Sequence, residues 1–175
     1  MRLYLVRHAE ASLDAERDEE RPLTERGWAQ AQDVADWLCR QITGPACVVA
    51  SPLLRAQHTA SVMSQALGLD TVQCEPSLAP ESDPLRAEQA LSLLAGEGIE
   101  DLVVVSHMPL IASLYAWIAE GTLTTGDAYD LAEVRVLSIE IIAPGLGQAA
   151  GKYQPEAVEV SSDLRQFIAR LTGEH

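Results

Sequence analysis

The chain has 175 residues, 47% of them apolar, enough for one compact domain with a sizeable core. Its 26 Asp and Glu against 12 Lys and Arg give a net charge of −14. That balance excludes binding to nucleic acid through phosphate neutralisation and excludes attachment to an anionic membrane surface.

Cys39, Cys47 and Cys74 are odd in number and lack CxxC or Cys/His metal spacing, so they are expected to be buried free thiols. LYLV is too short for the apolar centre of a signal peptide, and no run is long enough to cross a bilayer. The expected location is the cytoplasm.

Residues 3–6, LYLV, read as a short buried strand that runs into Arg7 and His8. The polar stretch EASLDAERDEER follows as a surface loop. A helix is expected after Thr24, a capping residue, with Ala29, Val34, Ala35 and Leu38 at helical spacing and Gly44-Pro45 as its stop. ACVVA, 46–50, reads as a second buried strand. The next helix is expected to take Ser51 as its cap and Pro52 just inside, with Arg55 in its first turn and Gly68 past its end. TVQC, 71–74, is a weaker strand, PSLAPESDP a loop, and 85–94 a helix closed by Gly96 and Gly98.

LVVV, 102–105, is the clearest strand, continuous and β-branched, and it runs into Ser106-His107. LIASLYAWIA reads as a buried helix and VRVLSIEII, 134–142, as a late strand. APGLGQAAGKYQP shows little periodicity and reads as flexible chain. A terminal helix, SSDLRQFIARL, is capped by Ser161 or Ser162. No internal repeat appears. The expected fold is α/β: three layers, a mostly parallel central sheet with helices on both faces, in a single domain of residues 1–175.

In such sheets ligands sit beyond the carboxyl ends of the strands. Those ends carry Arg7-His8, Ser51-Pro52 with Arg55 close behind, and Ser106-His107. Two guanidiniums, two imidazoles and a helix N-terminus on one rim suit a phosphoryl group, because arginine forks match its oxygens and a histidine can attack phosphorus. No acidic metal cage and no Gly-rich phosphate loop with its lysine is present, so metal-free chemistry without a cofactor is expected.

Arg7-His8, PLTERG, SPLLRAQHT and His107 in SHMP resemble, in order and over residues 1 to about 120, the histidine phosphatase superfamily with its phosphoglycerate-mutase-like fold. Short length, RPLT and the compact middle resemble the SixA-type phosphohistidine phosphatases. The resemblance implies that His8 is the nucleophile, that Arg7 and Arg55 clamp the phosphoryl oxygens, and that His107 donates to them in the transition state. It implies an added phosphate contact from Arg21, a site that takes phosphate or sulfate, and a partner in a phosphohistidine-bearing phosphotransfer domain.

Two departures from the family pattern stand out. Ala9 follows the Arg-His pair where Gly is usual. In PSLAPESDP, Pro80 falls near the usual acidic residue; the adjacent Glu81 is the candidate general acid, with a solvated loop carboxylate as its other reading. Loss of a strong acid is tolerable when the leaving group is an imidazole, whose ordinary pKa is about 6.5, and costly for an alkoxide. Two alternatives are a small-molecule phosphomonoesterase of the same superfamily and a non-catalytic phosphate-binding module.

Among other residues, His58 is expected on a helix surface, and Trp28, Trp37 and Trp117 in helix packing. Asp14, Glu16, Asp18, Glu19 and Glu20 are expected as a solvated loop, with partner recognition as its other use. His175 is an end residue. The role of the tail from 143 onward is not read from sequence.

Overall fold

A computed structural model of the protein describes residues 1–96, 98–156 and 159–173; His175 lies outside them. Six strands form one sheet in the order β3-β2-β4-β1-β5-β6. They are β1 (Arg2–Arg7), β2 (Ala46–Ala50), β3 (Gln73–Cys74), β4 (Asp101–Ser106), β5 (Val134–Ser138) and β6 (Gln148–Tyr153). The first four in that order run parallel; β5 lies antiparallel to β1, and β6 to β5. The helices are α1 (Glu25–Gln41), α2 (Leu54–Ala66), α3 (Pro84–Leu94), α4 (Leu110–Glu120) and α5 (Ser162–Thr172).

Alternation along the central strands divides their side chains between two cores. Tyr4, Val6, Val48, Ala50, Val103 and Val105 face α1, α2 and α5. Leu3, Leu5, Cys47, Val49, Leu102 and Val104 face α3 and α4. Runs that are apolar on both faces are what a sheet covered on both sides requires. The middle strand β4 is buried at all six positions. No helix among the described residues is long and apolar enough to cross a membrane.

Local chemistry sets the helix starts. Thr24 caps α1, its side chain accepting from the Gly27 amide, and Ser161 caps α5 through the Leu164 amide. Gly27, in PLTERG, packs directly on the backbone carbonyl of Glu10, where an added Cβ would overlap that oxygen. The first turn of α1 is thereby pressed against the chain leaving the Arg-His pair.

Several elements of the fold differ from the sequence reading, the weak strand 71–74 shrinking to Gln73–Cys74 among them. α2 begins at Leu54, not behind a Ser51 cap: Ser51 Oγ accepts from the Leu53 amide and bonds to His107. The late strand stops at Ser138 because its neighbour runs out, Arg2 of β1 pairing with Ser138 near the chain start. The stretch expected to be flexible holds β6, an edge strand whose exposed small residues carry no period-two signal but pair with β5. Of the thiols only Cys47 is buried; Cys39 and Cys74 are exposed.

Candidate active site

The carboxyl ends of β1, β4 and β2 lie side by side. Arg7 is in register with Ser106, and Ala50 with Val105. Backbone bonds carry the pairing past the strands: the His8 amide donates to the Ser106 carbonyl at 2.9 Å and the Ser51 amide to the Val105 carbonyl at 3.0 Å. Residues far apart in sequence therefore meet on one rim. The His8 and His107 rings are 4.9 Å apart, tilted by 53°.

His8 Nδ1 lies 2.7 Å from the carbonyl oxygen of Ala9. A carbonyl only accepts, so Nδ1 carries the proton and Nε2 keeps its lone pair. His8 as a whole residue is 9% exposed. Burial pushes its pKa down from 6.5 to about 4; the bond to Ala9 opposes this, and Arg55, Arg7 and Arg21 reinforce it. His8 is thus neutral at pH 7 chiefly because it is buried, with the cations second.

His107 is more deeply buried, and its pKa is pushed to about 3 by burial first, then by His8 and Arg55. Its Nε2 bonds Ser51 Oγ at 2.7 Å, while Nδ1 is buried without a partner.

Arg55, in the first turn of α2, is 5% exposed. It donates from Nη1 to the Asp18 carbonyl at 2.7 Å and from Nη2 to the Asp18 carboxylate at 3.0 Å. One turn on, Thr59 ties α2 to the nucleophile's loop: its hydroxyl accepts from the Ala9 amide and donates to the Arg55 carbonyl.

Arg7 reaches across the sheet, Nη1 donating to the Tyr129 carbonyl at 2.6 Å. Its pKa is lowered, by burial above all. The segment 129–133 cradles the Arg-His pair from the β5 side. The Arg7 amide donates to the Glu133 carbonyl, and the Ala132 amide to the His8 carbonyl, with Ala132 in left-handed backbone at φ 58°.

Glu133 holds the cradle. Its buried carboxylate accepts from the Asp130 amide and pairs with Arg135 at 2.6 Å and Lys152 of β6 at 3.1 Å. Arg135 also lies over the Tyr129 ring, 3.9 Å from its centre.

Arg21 is turned into the loop that precedes α1. It donates from Nε to the Ser12 carbonyl at 2.6 Å and from Nη1 to Asp18 at 3.0 Å. Its polar contacts within the protein therefore brace that loop. Glu81 is exposed between the Pro76–Leu78 turn and α3, and no hydrogen bond or ion pair ties it to the four central residues.

His58 is not on the surface as expected: it is buried against Trp28, ring centres 4.7 Å apart, because its side of α2 faces α1. Asp18 is not merely solvated, since it bridges Arg55 and Arg21. Ser51 and Thr59 stand inside the recognised motif, where their signal was a serine and a threonine flanking Arg55. Tyr129 and Glu133 have no comparable signal: 122 residues separate Tyr129 from the Arg7 it holds.

Buried polar atoms usually have partners. Arg7 Nε, Arg55 Nε and His107 Nδ1 are buried without one in the protein. Two unpartnered guanidinium N–H groups and an unpartnered imidazole nitrogen on residues beside a neutral His8 suit a tetrahedral oxyanion. Among the described residues, no group of three or more His, Cys, Asp or Glu side chains is placed to hold a metal ion.

Comparison with known proteins agrees with this geometry. Residues 3–79 match the model of the histidine phosphatase superfamily, branch 1. Phosphohistidine phosphatase SixA of Escherichia coli K12 is 34% identical over 122 residues, covering 69% of this chain and 76% of that one. A SixA homolog of Haemophilus influenzae is 28% identical over 124 residues, covering 66% and 76%. A solved structure of the protein histidine phosphatase SixA complexed with tungstate superposes with a TM-score of 0.79 at 29% identity, covering 89% of this chain and 97% of that one. The strand-end histidine pair, its arginines and these likenesses together place the chain in the histidine phosphatase superfamily, among the SixA-type phosphohistidine phosphatases.

Proposed function

We propose that the protein is a cytoplasmic phosphatase that removes the phosphoryl group from a histidine of a phosphotransfer signalling protein, through a phosphorylated His8. The observation that carries this reading is a neutral, tautomer-fixed His8 facing His107, with the buried Arg55 and the half-buried Arg7 close enough to act on its charge.

In the first step Nε2 of His8 attacks phosphorus and the bond from phosphorus to the substrate imidazole breaks. The departing nitrogen keeps the bonding pair, and an imidazole protonated on its other nitrogen leaves as a neutral ring. Arg7 and Arg55 hold the phosphoryl oxygens while charge shifts. In this reading the Ser51 hydroxyl, which accepts from the Leu53 amide, donates to His107 Nε2. That leaves the His107 proton on Nδ1, free to donate to a phosphoryl oxygen. In the second step water attacks the phosphorus on His8, the bond from phosphorus to Nε2 breaks with its electron pair returning to the ring, a proton of the water passes to a phosphate oxygen, and inorganic phosphate leaves neutral His8.

Among the described residues no carboxylate but the ion-paired Asp18 is bonded to the four central side chains, which supports an imidazole over an alkoxide leaving group. So does the likeness to SixA. The test is incubation with a phosphohistidine-bearing phosphotransfer domain beside a panel of alkyl phosphate monoesters. Turnover is expected on the first, and His8→Ala should abolish it. Equal hydrolysis of alkyl monoesters would sink the proposed substrate.

A further inference from the structure

We propose that Asp18 is a specificity-determining residue of the phosphoryl site: its carboxylate competes with the phosphoryl oxygens for Arg55, so the site disfavours free dianions and favours phosphoryl groups that arrive with a compensating positive charge. The inference rests on the reading of Arg55 as a phosphoryl clamp.

The contacts are specific. Arg55 is fixed in the rim with 6% of its side chain exposed, whereas Asp18 stands at the surface with 61% exposed. Asp18 Oδ2 accepts from Arg55 Nη2 at 3.0 Å and Oδ1 from Arg21 Nη1 at 3.0 Å. A single carboxylate thus spans two guanidiniums, much as a phosphoryl group does with its oxygens. Both partners hold Asp18 below the usual carboxylate range, Arg21 most strongly, so it is charged at neutral pH.

The loop is built to present this group. Arg21 Nε is pinned on the Ser12 carbonyl, and the Asp18 carbonyl itself accepts from Arg55 Nη1 at 2.7 Å. Displacing the carboxylate therefore need not release the loop, because the backbone bond to Arg55 remains.

A dianion entering the site either pushes Asp18 off Arg55 or settles beside it, and both cost free energy through like-charge repulsion. A phosphorylated imidazole protonated on its other nitrogen brings a cation to the same mouth, and so does a basic protein surface around it. Neither inorganic phosphate nor a simple phosphomonoester has that compensation.

Asp18→Asn removes the charge and keeps one oxygen acceptor for Arg55; its amide nitrogen replaces the acceptor of Arg21, which stays anchored by its Nε bond to the Ser12 carbonyl, so competition is separated from the positioning of Arg55. Orthophosphate titrated by calorimetry into the full chain should bind the variant roughly fivefold more tightly than the wild type. The kcat/KM for an aryl phosphomonoester should rise by a similar factor, while that for the phosphohistidine domain should not rise. Unchanged or weaker phosphate binding by the variant would overturn the proposal and leave Asp18 as a brace for Arg55. An equal gain on both substrates would overturn the discrimination. Failure of the substrate reading is separate: no wild-type turnover of phosphohistidine, with phosphate still binding the variant more tightly.

Discussion

Lowering the pH from about 7.5 to about 5.5 should leave the His8 nucleophile uncharged. A histidine with the ordinary value of 6.5 would be only about 9% neutral at the lower pH; one at about 4 would be about 97% neutral, a difference of about tenfold in reactive base. The cause is mainly the burial of a ring that hydrogen-bonds the Ala9 carbonyl, so the shift should survive salt that screens the arginines. Nitrogen-15 NMR of labelled histidine, with the His8 signals assigned from His8→Gln, reads the state directly. The neutral pattern with the proton on Nδ1 should persist through about pH 5.5, and the limb of kcat/KM due to this group should fall near 4. A His8 half charged at about pH 6 or above would refute the burial argument.

Ser51→Ala removes the oxygen that orients His107, and kcat should drop about ten- to hundredfold in steady-state kinetics. Glu133→Gln takes the charge from a carboxylate facing Arg135 and Lys152; it should cost about 3 kcal/mol in urea unfolding and raise KM as the Tyr129 anchor of Arg7 loosens. His58 is held down to about 4 by burial, so its sign is fixed. Above pH 6.5 the ring is neutral in both states; between 6.5 and about 4 the unfolded chain takes up a proton that the folded one refuses, and stability falls with the pH. His58→Gln should remove that part of the acid loss, up to about 3 kcal/mol near pH 4, seen as a smaller shift of urea midpoints than in the wild type.

The central strands were legible because they are covered on both faces and so must be continuously apolar: β2 was read to the residue as 46–50. Thr24 was legible as a cap because capping is a local bond between a side chain and an amide three residues on. β6 was hidden for the opposite reason. An exposed edge strand has no buried face to write a pattern, and its existence depends on a partner, β5, that is itself antiparallel to β1. Ser51 reads as a cap because a serine before Pro is an ordinary one, and only the approach of β4 offers it His107 instead.

Residue order alone specified the kinds of group at three strand ends, since an apolar run must stop where polar side chains begin. What the fold decided was how those groups act on one another. The tautomer of His8, the burial that keeps it neutral, the Asp18 bridge to Arg55 and the Glu133 cradle beneath Arg7 all depend on distances between segments remote in the chain. Hydrogen bonds and desolvation act over a few ångströms of space, and no spacing along a polypeptide encodes them until the sheet has brought its strands together.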